Sequence, residues 1–131
     1  MEHVIYQKEY DKNNEIIYSI VTPVYNQENI IVKNIRSFIE FTTQNFEIII
    51  ILDFCDDNTE TNLLHFFQTY SNKNSLFKKI TIFKTSHPLF ETKCDNIGFR
   101  YASGKFCLEI QADMEMTEKI RETFCRATAA A

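Results

Sequence analysis

Two unbroken apolar runs rich in β-branched residues, "IIYSIVTPV" at residues 16–24 and "FEIIIILD" at residues 46–53, constrain this chain more than any other feature. A strand with one face in water alternates apolar and polar residues. These runs do not alternate, so each must be covered on both faces, as in parallel sheets. Both fall far short of the ~20 apolar residues a membrane helix needs. Between them, "YNQENIIVKNIRSFIEFTT" sets Ile31, Ile35, Phe38, Ile39 and Thr42 at three-to-four spacing, the mark of an amphipathic helix, with Asn26 or Asn29 as candidate cap. Pro23 closes the first strand, because proline has no N–H for a central ladder. A strand, a helix and a second buried strand form a parallel unit whose crossover should be right-handed.

The pattern continues downstream. "FCDDNTETNLLHFFQTY" opens with a polar turn and then puts Leu63, Phe66, Phe67 and Tyr70 on one helical face, after candidate caps Asn58 and Thr59. "LFKKITIFKTS" is a third strand of more alternating pattern, with Lys78, Lys79 and Lys84 facing water near the sheet edge. "HPLFETKCDNIGFRYASG" reads as a loop into a short helix, with Cys94, Ile97 and Tyr101 inside and Gly104 as its stop. Gly98 within that helix costs about 1 kcal/mol relative to alanine, which points to close backbone packing. "KFCLEIQAD" is the fourth strand, and "TEKIRETFCRA" a last helix opened by Thr117, with a thin apolar face of Ile120 and Phe124. Alternating strands and helices define an α/β fold with a mostly parallel sheet. Residues 1–15 are a polar arm or an edge element, residues 16–126 the domain, and residues 127–131, "ATAAA", a small-residue tail that reads as a truncation or a frayed end.

A chain of 131 residues fits one domain. Its net charge of -4 offers no broad basic surface, which argues against binding nucleic acid in bulk. With no membrane span and no signal-peptide core, the sequence predicts a cytoplasmic location. Cys55, Cys94, Cys107 and Cys125 lack paired-ligand spacing and read as free thiols, and His3, His65 and His87 stand isolated.

Polar residues collect where the apolar strands end: 22–28 after the first, 53–59 after the second, and Gln111-Ala112-Asp113 after the fourth. Open α/β sheets bind ligands at the carboxyl ends of their strands, so these segments should converge on one sheet edge. Asp113, a carboxylate where a strand runs out, is the first functional candidate and Asp53 the second. Asp56 and Asp57 suit a turn and a helix cap.

The segments "YSIVTPVYNQE", "EIIIILDFCDDNT", "NIGFRYASGKF" and "EIQADMEM", in that order, resemble the family 2 glycosyltransferases, inverting nucleotide-sugar-dependent enzymes with the Rossmann-like, three-layer GT-A fold. The resemblance spans nearly everything from Ile16 to Met116. It implies a nucleotide-sugar donor, most readily a UDP-sugar, bordered by Pro23, Tyr25 and Glu28, with Asp53 on the base. It also implies a Mn²⁺ or Mg²⁺ ion held by Asp113, the last residue of a "DxD"-like segment, and bridging the diphosphate. Gln111 replaces the first aspartate of that segment and can still bond a ribose hydroxyl. Glu115 is a candidate substitute carboxylate. Phe54 stands where many members carry a second acid, and Lys93 lies about where some place a basic group for the diphosphate.

In this family the general base that takes the acceptor's proton lies downstream of the DxD segment. The chain is therefore expected to be truncated after that segment, to hold the donor half of a glycosyltransferase, and to turn over poorly alone. The acceptor is unknown. An alternative is a non-catalytic nucleotide-sugar-binding module, or one that forms a homo-oligomer through surface normally covered by the acceptor half. A phosphoacceptor receiver domain would carry an acid pair after its first strand, where this chain has "TPVYNQE".

Overall fold

The computed structural model describes residues 1–12 and 15–118. Its elements are β1 (Glu2–Glu9), β2 (Tyr18–Val24), α1 (Ile31–Phe41), β3 (Phe46–Leu52), α2 (Thr59–Thr69), β4 (Phe77–Thr85), α3 (Phe90–Tyr101) and β5 (Phe106–Glu109). They form one five-stranded sheet in the order β1-β4-β3-β2-β5. The four strands β2 to β5 run parallel, and β1 lies antiparallel on β4. The helix expected over residues 117–127, with Ile120 and Phe124, Cys125 and the tail at 127–131 lie outside the described residues.

The absence of alternation in the apolar runs has a direct cause. Ile20, Ile48, Ile50, Ile80 and Ile82 face one side of the sheet, against Ile35 and Phe38 of α1 and Leu63 and Phe67 of α2. Their strand neighbours Val21, Ile49, Ile51 and Phe83 face the other side, against Cys94 and Ile97 of α3. Successive strand residues thus enter different cores, and both must be apolar. The result is a three-layer α/β/α arrangement.

Of the two readings open for residues 1–15 the structure shows the edge element, and several other local expectations are corrected. Residues 2–9 form the edge strand β1, which pairs with β4 along Glu2↔Thr85 to Glu9↔Lys79. That makes β4 internal, and Lys78 is only 5% exposed. Its ammonium pairs with Asp11 at 3.3 Å and donates to the Ser75 carbonyl. Helix α1 starts after Ile30 and α2 after Asn58, and neither cap residue makes a side-chain capping bond. At α2, Asp57 Oδ1 accepts from Thr59 N (2.9 Å) instead. Tyr101 is exposed rather than inside; its ring packs on Phe83 at 4.6 Å and its hydroxyl donates to Glu2. β5 ends at Glu109, so Gln111 to Asp113 leave the strand as a turn, closed by the bond from Met114 N to the Gln111 carbonyl.

Both glycines answer to close approach. Neither has positive φ. A Cβ on Gly104 would lie 2.6 Å from Ser19 Oγ, so this glycine serves contact with β2 and not the helix stop expected of it. The anchor there is Glu47, which is buried on β3 and whose Oε2 accepts from Ser19 Oγ, Ser103 N and Ser103 Oγ. On α3, a Cβ on Gly98 would meet Val21 Cγ1 at 2.2 Å, which accounts for a glycine in mid-helix. Alanine there must push α3 off β2, and Gly98→Ala is expected to destabilise the fold by about 1–3 kcal/mol, the range for overpacked cores. An unaltered urea unfolding midpoint for that variant would show the two elements are not in close contact.

Candidate functional site

The sheet changes direction of growth at β2: β3 and β4 lie on one side, β5 on the other. A crevice forms at such a switch point, outside the carboxyl ends of the strands. Here the sequence explains why it opens. Val21 O accepts from Ile110 N, so Val21 addresses β5, while Val24 O accepts from Asp53 N, so Val24 addresses β3. By alternation Pro23 addresses β5, but it has no N–H to give to the next carbonyl. The ladder stops and the strands part. Pro23 thus lies within β2, its place at the strand's end set by the divergence of β5.

A cleft of about 300 Å³ occupies the gap, lined by Pro23, Val24, Tyr25, Gln27, Asp53, Glu91, Gln111, Ala112 and Asp113. Five residues singled out from the sequence therefore meet there: Pro23, Tyr25, Asp53, Gln111 and Asp113. Glu28 and Lys93 are not among the lining residues. Glu28 instead braces two loops, its Oε2 accepting from Asn58 N (3.0 Å) and its carbonyl from Asn62 Nδ2 (3.1 Å). Lys93 stands exposed on α3. Glu115 turns to the far side of the 111–116 segment and pairs with Lys33 on α1 at 3.2 Å.

The acids of the second strand end divide their work. Asp53 is 7% exposed. Its Oδ1 accepts from Leu89 N (2.8 Å) and Thr85 Oγ1 (3.3 Å), and its Oδ2 from Phe90 N (2.8 Å). It therefore ties the end of β3 to the start of α3, satisfying backbone donors a helix start leaves free. Asp56 exchanges bonds with the Asn26 side chain. Partial burial would raise the Asp57 carboxyl, but donors from Thr59 and the Glu28 amide outweigh it and hold it below its usual range. The Cys94 thiol, buried behind Asp53, is pushed up to about 12, first by burial and then by that carboxylate.

Residues passed over in the sequence hold the third strand end. Asn34 and Ser37 lie on the buried face of α1, where Asn34 Nδ2 donates to the Ala112 carbonyl (2.7 Å) and Ser37 Oγ accepts from Met116 N (2.8 Å). Two polar residues inside an apolar helical stripe were the available signal. Gln27 joins the cleft from the strand-end segment 22–28 without having been singled out, and Glu91 joins it without any motif to mark it.

An open sheet with helices on both faces and a crevice at its switch point is shared by several α/β folds, and solved structures identify this one as a GT-A fold. The S. aureus TarS fragment 1–349, solved in complex with UDP-GlcNAc, aligns with a TM-score of 0.68 at 20% identity over 87% of this chain and 30% of its own. The mannosyltransferase PcManGT from Pyrobaculum calidifontis, in complex with GDP-Man and Mn²⁺, gives 0.72 at 17% identity over 88% and 32%. This chain thus spans about a third of either neighbour. No curated protein sequence matches it. The glycosyl transferase family 2 model matches residues 19–124, and the chain belongs to that family.

Beside the cleft, carboxylate oxygens of Glu91, Asp95 and Glu109 lie within 4.8 Å of one another. Gln111 Nε2 donates to Glu91 Oε1 at 3.2 Å, linking the trio to the cleft. Asp95 Oδ1 and Glu109 Oε1 are buried with no hydrogen-bond partner. Burial first, then the charge of Glu91, raises the Asp95 carboxyl, and burial, then Asp95 and Glu91, raises Glu109. Folded-state values above the unfolded ones mean that the folded chain binds these protons more tightly. Their contribution to stability is then full below about pH 4, the ordinary carboxylate range, and is lost as pH rises through the folded values. Glu109→Gln removes one charge and supplies N–H donors. Its unfolding midpoint is expected to climb above the parent's as pH rises past about 4 and to hold that lead once both acids have ionised. A lead that stays constant from pH 4 to 8 would mean that neither burial nor the neighbouring charges raise the Glu109 carboxyl.

Proposed function

We propose that this chain binds a nucleoside diphosphate sugar, with UDP as the first candidate nucleotide, together with a divalent cation in the cleft between β2 and β5. It would thereby form the donor side of an inverting transfer of the sugar to an acceptor hydroxyl. The observation that carries the reading is the convergence of Pro23, Tyr25, Asp53, Gln111 and Asp113, drawn from three separate strand ends, on one crevice. Membership of the family and neighbours solved with UDP-GlcNAc and with GDP-Man support it.

The donor atoms suit the cation. Asp113, Gln111 and Glu91 offer oxygens to the cleft, and no cysteine or histidine lines it, a set that selects hard ions such as Mg²⁺ or Mn²⁺. Asp113 is exposed, and among the described residues no lysine or arginine pairs with it. Asp113 would hold the ion against the diphosphate. Bound there, the ion neutralises charge that grows on the diphosphate as it leaves. Gln111, tethered to Glu91, offers its amide to a ribose hydroxyl, and Pro23 and Tyr25 border the nucleotide. Asp53 keeps the start of α3, and with it Glu91, against the cleft.

A thermal-shift panel of UDP and GDP, each with and without Mn²⁺, tests this reading. A ligand at a hundred times its Kd adds about 2.7 kcal/mol. Asp113→Asn, a change at an exposed position, is expected to abolish the Mn²⁺-dependent part of the shift and to leave the ligand-free midpoint in place. Equal shifts in parent and variant would remove Asp113 from the site.

A further inference from the structure

We infer that Phe54 and Phe90 form an aromatic rim that stacks the base of the bound nucleotide, an inference that rests on the proposed donor site and extends it. Among the described residues, the non-glycine positions with positive φ are Asn26 (45°), Phe54 (53°) and Phe90 (68°). Asparagine adopts that region readily, whereas a bulky side chain is a true outlier there. Both rings are also exposed, Phe54 at 49% and Phe90 at 75%. The fold therefore carries two strained backbones and leaves about half of Phe54 and most of Phe90 in water, a small return in core packing. Such strain persists where surrounding bonds over-determine it, commonly at a ligand site.

The bonds that hold these residues centre on Asp53. Phe54 follows Asp53 directly; its N–H donates to Leu52 O at 3.0 Å, while Asp53 N is fixed to Val24 O at 2.8 Å. Phe90 donates its N–H to Asp53 Oδ2, and Leu89 donates to Oδ1. With Thr85 also on Oδ1, both oxygens of Asp53 are engaged in posing its neighbours. Glu91, next after Phe90, lines the cleft, as does Asp53, so the two phenylalanines adjoin its rim.

Size points the same way. At about 300 Å³ the cleft is at the lower limit for a ligand pocket, so a diphosphate and sugar leave little space for a base. In the proposed arrangement the base lies past Asp53, beside Phe54 and Phe90. Aromatic faces hold bases by stacking, which every base accepts. Recognition of this kind discriminates weakly between uracil and guanine.

The test is calorimetric titration of UDP, GDP and inorganic diphosphate, each with Mn²⁺, into the parent chain, Phe54→Gly, Phe90→Gly and Phe90→Leu, with unfolding midpoints measured alongside. Glycine relieves the left-handed strain, so the glycine variants are expected to unfold about 3 °C higher. They should bind UDP and GDP about tenfold more weakly while keeping the parent's affinity for diphosphate. Phe90→Leu, which keeps apolar bulk without a π face, should lose nucleotide affinity as the glycine variant does, and it answers the question if a glycine variant fails to fold. Parent affinity for nucleotide in the variants, or an equal loss for UDP and for diphosphate, would overturn the aromatic rim and leave the donor site standing. If the parent binds neither nucleotide, the donor site falls and the rim with it.

Discussion

Where β2 and β5 stop bonding, the rest of the site begins. The two strands hold register from Tyr18↔Phe106 to Val21↔Glu109, one more bond forms from Ile110 to Val21, and then Pro23 has no hydrogen to continue. One missing N–H turns a closed ladder into a cleft. Everything on the far wall depends on how the freed 111–116 segment is then fixed. Asn34 and Ser37 do this from inside α1, taking up a carbonyl and an amide that would otherwise be buried without partners.

Acidic residues are dense around the cleft, yet their partners separate them into three kinds. Asp53, Asp56, Asp57 and Glu28 are engaged with backbone amides or side-chain amides of adjoining loops and hold those loops together. Glu91, Asp95 and Glu109 crowd one another, and burial with neighbouring charge raises the carboxyls of Asp95 and Glu109. Asp113 is exposed in the cleft, which leaves its oxygens open to a ligand. A carboxylate already saturated by its own fold has little left to offer a ligand. The chain's charge therefore says less about binding than the hydrogen-bond partners do.

On the α3 face of the sheet, close contact and one buried carboxylate act together. Gly98 lets α3 lie against Val21, and Glu47 clamps the turn after α3 through Ser103 while sharing Ser19. A helix seated this closely places its amino terminus over the end of β3, within reach of Asp53. Packing at Gly98 and capping at Asp53 are thus two ends of one arrangement, and Glu91 is set against the cleft as a consequence.

The layered α/β fold was legible in the amino-acid order because the apolar runs at 16–24 and 46–53 must be buried on both faces, and residue 48 and residue 49 do face different cores. The inner faces of α1 and of α2, at Leu63 and Phe67, and the close approach at Gly98 follow from the same periodic reasoning. Residues 1–15 read equally as an arm or an edge element, and Lys78 as a surface residue, because nothing local says that β1 will cover β4; strand pairing between residues 70 or more apart does. The clustering of strand-end residues was likewise expected from position, since parallel strands carry their carboxyl ends to one edge. Which of them line the cleft was a tertiary matter. Glu28, Asp53 and Asp113 are alike as carboxylates in the chain, and only the donors that folding brings to each of the first two, and leaves away from the third, distinguish them.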